Sequence, residues 1–184
     1  EIVMMLSSSG GGLIILVIGL ILYKYIVLAI SAPFMGVVSE KIELHLNGGF
    51  YSDYKKTTFI VQLWRGIQVN VRNLGMELFI TFPLLLLKFI PVVNLFSTVL
   101  LFLIQAYYAG FGNMDYTLER YFSYKESLGF VKKNKGYSIG NGIVFIGCLF
   151  IPVLGIIIVL PLSVTAASIQ TIALLKKENE RSIL

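Results

Sequence analysis

From Tyr137 to Leu175 the chain runs for 39 residues without one charged side chain. A bilayer core about 30 Å thick is crossed by about 20 apolar residues in a helix. As one helix this run would be roughly 58 Å long at about 1.5 Å per residue. The chain must therefore turn back within it. The turn is marked by Phe150-Ile151-Pro152-Val153-Leu154-Gly155, because proline removes a backbone donor and disfavours helical geometry in the residue before it. Pro161 is a second breaker in the same run.

A run from Gly75 to Gly112 poses the same problem over 38 residues, interrupted only by Glu77 and Lys88. Its breaker is Phe89-Ile90-Pro91-Val92-Val93-Asn94, with Pro83 a weaker point. Laid on each other at an offset of 61, the two runs align Asn73 with Asn134 and Gly75 with Gly136. The same offset places Phe89-Ile90-Pro91-Val92 on Phe150-Ile151-Pro152-Val153. The pattern reads either as a weak same-orientation repeat or as chance alignment of two apolar runs. A third run, from about Gly11 to Val38, holds one charge, Lys24, and is long enough for a full span. Beyond Pro33, Glu40 and Glu43 share a helical face, so this helix is expected to continue out of the membrane.

Hydrophobic residues make up 57% of the 184, and mean hydropathy is +0.83. Charged residues make up 14%, against about 25% in soluble proteins, too few to coat a globule of this size in water. A net charge of +5 invites a nucleic-acid reading, but the basic residues sit in short stretches beside apolar runs. That placement suits membrane topology and anionic head groups, and nucleic acid is excluded as a partner. Cys148 is the one cysteine and allows no intramolecular disulfide; His45 is the one histidine and anchors no metal cluster. The chain begins at Glu1 without a methionine, and Ser7-Ser8-Ser9-Gly10-Gly11-Gly12 reads as a flexible joint. It lacks the Lys-Ser or Lys-Thr that a phosphate-cradling loop requires.

Three basic stretches decide the topology. Residues 40–74 hold Lys41, Lys55, Lys56, Arg65 and Arg72; residues 113–135 hold Arg120, Lys125, Lys132, Lys133 and Lys135; the tail holds Lys176, Lys177 and Arg181. All three lie in the cytoplasm only if the second and third runs each enter and return on the same side. The expected architecture is an all-α, single membrane domain over residues 1–184. A transmembrane helix (11–38) and a cytoplasmic helical region (39–74) precede hairpin one (75–112). An amphipathic cytoplasmic linker (113–135), hairpin two (136–175) and a tail (176–184) follow. The proline tips, at Pro91 and Asn94 and at Pro152 and Gly155, should pack against protein, because broken backbone at membrane depth needs cover.

Ala32-Pro33-Phe34 followed by Ser39-Glu40-Lys41-Ile42-Glu43, then Gly112-Asn113-Met114-Asp115-Tyr116 with Arg120 and Phe122, form an ordered set with the two Ile-Pro-Val turns. Over roughly residues 15–175 this set resembles the bacterial CysZ-type sulfate permeases, related to the eukaryotic etoposide-induced membrane proteins. The resemblance implies a multi-pass protein of the bacterial inner membrane that imports sulfate for cysteine synthesis. It implies no cofactor, a homo-oligomer, and helical hairpins that penetrate the lipid bilayer only partway. It also implies a preceding transmembrane helix with a glycine-and-arginine element linked to sulfate binding. Residues 1–10 do not supply that helix, so it is expected upstream.

A passage for a divalent oxyanion needs cationic or N–H donors without a permanently trapping site. Lys24 and Lys88 are the membrane-embedded candidates, followed by Arg65 and Arg72. Lys24 either faces a protein interface or snorkels to the membrane surface. Glu40, Glu43, Asp115 and Arg120 read as a structural polar network on the cytoplasmic side, and Tyr107, Tyr108 and Tyr116 as interfacial aromatics. Gly140 and Gly142 would allow close helix contact. No nucleophile–base constellation, paired cysteines or HExxH motif appears, which argues against an enzyme. The competing reading is a membrane scaffold or assembly factor that transports nothing.

Overall fold

The computed structural model describes residues 9–47, 58–87, 91–149 and 158–183, and these are helical almost throughout. Six helices follow in order: α1 (Ser9–Leu46), α2 (Phe59–Leu87), α3 (Pro91–Leu118), α4 (Tyr124–Lys133), α5 (Lys135–Leu149) and α6 (Leu160–Ile183). Among the described residues, two stretches are long and apolar enough to cross a membrane, Leu22–Leu46 in α1 and Asn94–Leu118 in α3.

The helices run through boundaries that hydropathy alone would set. α1 continues past Pro33 to Leu46, and α2 passes Gly75 and Pro83 without a break. Apolar length measures lipid contact, whereas helix length ends only where a backbone bond is lost. Pro83 therefore does not end its helix. Pro161 is the second residue of α6, which directly follows the π-helical Ile158 and Val159. Pro91 opens α3. Lys88, Pro152 and Gly155 lie outside the described residues.

α3 is the central post, touching every other helix. α2 runs antiparallel to it, as Asn73 meeting Tyr108 and Arg65 meeting Asp115 require. α5 also lies antiparallel to α3, at backbone distance. A Cβ on Gly142 would fall 1.8 Å from the Ala106 carbonyl oxygen, and one on Gly110 1.8 Å from that of Ser138. Only glycine permits this crossing. Small residues at such an interface let dispersion and polar contacts replace the hydrophobic effect, which lipid does not supply. Gly140, by contrast, meets nothing within 4 Å.

The outer surface is unlike that of a soluble bundle. On α1, Leu22, Ile26, Ile30, Phe34 and Val37 face outward, while Lys24, Ser39 and Glu43 are buried. On α2, Ile60 and Phe79 are 76% and 75% exposed, while Gln62, Asn70, Asn73 and Glu77 are buried. An apolar exterior around an interior that also holds paired polar groups suits hydrocarbon as the surrounding solvent, and the protein is membrane-embedded.

Candidate functional site

The buried polar groups fall into three levels along α2 and α3. The first holds two arginines. Arg65 of α2 grips Asp115 with two parallel bonds of 2.9 Å each, and donates further to the Phe122 carbonyl and Ser127 Oγ. It thereby ties α2 to α3 and to α4. Arg120, just past the end of α3, reaches Glu43 of α1 at 2.9 Å and also bonds Ser39 Oγ and the Tyr116 carbonyl. Tyr121 donates to the same Glu43 carboxylate, and Thr117 links Ser39 to Ser168 of α6.

Of the expected cytoplasmic network, Glu43 and Arg120 meet directly. Asp115 does not join the α1 carboxylates, because Arg65, which the sequence suggested for an anion pathway, occupies it. Glu40 is half-buried on the same helix. Glu119 was not singled out from sequence. It is buried between these pairs, and its Oε1 has no hydrogen-bond partner. Burial, with Asp115 adding repulsion and Arg65 and Arg120 opposing it, pushes the Glu119 carboxyl up to about 8.

At the second level, Asn113 donates to Asn141, which donates to the Ser163 carbonyl, joining α3, α5 and α6. Ser138 Oγ bonds the Tyr107 carbonyl, and Tyr116 donates to the Leu28 carbonyl. Tyr108 and Tyr116 are buried rather than interfacial, because each packs within the bundle and Tyr116 finds its acceptor there. Arg72 is half-buried, bonds the neighbouring Asn73 side chain at 3.1 Å and lies over the Phe111 ring. Among the described residues it has no carboxylate at ion-pair distance.

The third level lies twelve residues along α2 from Arg65, about 18 Å at the helical rise. Here Lys24 Nζ of α1 bonds both oxygens of Glu77, at 2.8 and 3.2 Å, and the Tyr25 hydroxyl donates to the same carboxylate. Lys24 is 5% exposed and Glu77 is fully buried. Lys24 thus faces a protein interface and does not snorkel. One turn further along α2, Thr81 is 6% exposed and its hydroxyl has no partner. Glu77 could have been found from sequence: it is the one acidic residue in its apolar run, and Lys24 is the one charge in another.

The tips show less. Asn94 is exposed in the first turn of α3, where its carbonyl accepts from Thr98 Oγ1. Among the described residues no three metal-ligating side chains cluster.

Residues 3–159 match the family model described as Sulfate transporter CysZ/Etoposide-induced protein 2.4. Among curated proteins, a "Sulfate transporter CysZ" of Pseudomonas syringae pv. tomato is 29% identical over 158 residues, which are 84% of this chain and 62% of that protein. One of Pseudomonas aeruginosa is 27% identical over 175 residues, 93% of this chain and 70% of the relative. One of Pseudomonas fluorescens is 28% identical over 142 residues, 76% of this chain and 57% of the relative. The chain thus spans somewhat under two thirds of the length of the P. syringae protein. With more than half its length matched by one family model, the chain belongs to the CysZ/etoposide-induced protein family of membrane proteins.

Proposed function

We propose that the protein forms a path for sulfate, or a related oxyanion, across the bacterial inner membrane toward cysteine synthesis. The observation that carries this reading is Arg72. It is a guanidinium without a carboxylate partner among the described residues, half-buried beside a helix long enough to span. A permanent cation at such a place is costly unless an anion or water visits it. Arg65 and Arg120, by contrast, are saturated by protein acceptors and serve as struts.

Two hairpins returning to the cytoplasmic side complete the proposed topology. The antiparallel pairing of α2 with α3, joined across residues 88–90, supports the first of them. Asn141 of α5 bonding the Ser163 carbonyl of α6 across residues 150–157 supports the second. A homo-oligomer would cover what a single copy leaves open.

The test is radiolabelled sulfate uptake into liposomes containing the purified full-length protein. Wild-type uptake should exceed that of empty liposomes, and R72A should reduce it by about tenfold or more, the equivalent of roughly 1.4 kcal/mol. Uptake no greater than in empty liposomes would leave the scaffold reading standing.

A further inference from the structure

We propose that Lys24, Tyr25 and Thr81 form an oxyanion-binding site within the membrane, filled in this structure by the carboxylate of Glu77 acting as a tethered competitor. The inference rests on the sulfate-path reading and names a specific binding site on that path. A buried ion pair is weak evidence for stability, since well-packed apolar residues of similar volume often serve as well. At membrane depth a buried ionisable residue is a functional candidate by default. Two features distinguish this pair from a strut.

The first is how the carboxylate is held. Glu77 accepts from an ammonium and a phenol, both on α1, and all three bonds end on the carboxylate oxygens. A tetrahedral oxyanion also presents pairs of anionic oxygens and could be held by the same donors. The contrast with Arg65 is plain: its donors also satisfy a backbone carbonyl and a serine hydroxyl, which no mobile ligand could replace.

The second is Thr81. It stands one helical turn beyond Glu77 on the same face, is nine-tenths buried, and has an unpartnered hydroxyl. Buried hydroxyls normally find a partner, and in a helix the carbonyl one turn back is available. A spare donor beside an occupied anion cradle is what a ligand larger than a carboxylate would use.

In operation, Glu77 swings away from Lys24 as the anion arrives and returns as it leaves. No free cation is then left to trap the anion or to stand uncompensated in the bilayer. No bond is made or broken and no proton need move. Because the competitor holds the site most of the time, apparent affinity is lowered by the fraction of time the site is free.

Calorimetric titration of the full-length protein in detergent with sodium sulfate, run beside liposome uptake, tests this. E77Q should bind sulfate at least about tenfold more tightly than wild type, because the competitor is gone. T81V leaves the Lys24–Glu77 pair intact. It should weaken sulfate binding several-fold while leaving the melting temperature unchanged, as the loss of a merely structural residue would not. Wild-type uptake with unaltered binding in both variants overturns the site and leaves the sulfate path standing. Tighter binding in E77Q without wild-type uptake supports the site and overturns the path. No uptake and no binding in any variant overturns both. If E77Q does not fold, T81V decides alone.

Discussion

Glu43 carries more of the fold than its place in a lysine- and glutamate-containing stretch suggests. Arg120 and Tyr121 both donate to it, and Glu43 and Arg120 are buried. Changing Glu43 to alanine would strand the Arg120 guanidinium without its counter-charge, a loss of about 3–5 kcal/mol for buried pairs. A melting temperature in detergent within a degree of wild type would contradict that. Glu119 presents the opposite case, a buried carboxyl without a partner for Oε1. Its folded value near 8 lies above the ordinary 4.5, so between those limits the folded protein holds a proton that the unfolded chain has released. The resulting stability is complete below about 4.5 and is lost as pH rises through about 8. Wild type should therefore melt at progressively lower temperature from pH 6 to pH 9, and E119Q should show a flatter profile; parallel profiles would refute the assignment.

Between helices, the controlling contact is the crossing of α3 and α5. Alanine at Gly142 or Gly110 would place a methyl group inside a backbone carbonyl's van der Waals radius. The obstacle is main chain and cannot rotate aside. G142A should cost at least the upper part of the roughly 1–3 kcal/mol typical of overpacking, seen as loss of a monodisperse peak on size exclusion. G140A, facing open space, should stay within about 1 kcal/mol of wild type. The helical run through Glu43 was legible in sequence because helical spacing is local. The partners of Asp115 and the inward placement of Tyr108 and Tyr116 were not. Those depend on which faces meet, and a helix apolar on nearly every side gives no periodic signal of that. The offset-61 pairing does not extend to the helix boundaries: α2 passes unbroken through Asn73, whereas its counterpart divides at Asn134 into α4 and α5.

For the molecule as a whole, the proposed topology places Lys41, Lys125 and Lys177, all exposed, on one side of the membrane. Cys148 is the one cysteine in these 184 residues, so single cysteines at these positions in a C148S background can be probed separately. Each should react with a membrane-impermeant maleimide in inside-out vesicles and be protected in intact spheroplasts; one position with the opposite pattern would break the two-hairpin arrangement. The interior that binds these helices mixes apolar residues such as Phe111 and Phe145 with amides, hydroxyls and ion pairs, and the surface around it faces lipid rather than water. Separating the helices in lipid would therefore expose little fresh apolar surface to water. The heat-capacity increment of such a transition should be small, since apolar hydration is its main source. Stability would then change almost linearly with temperature, without the curvature that makes soluble domains come apart in the cold.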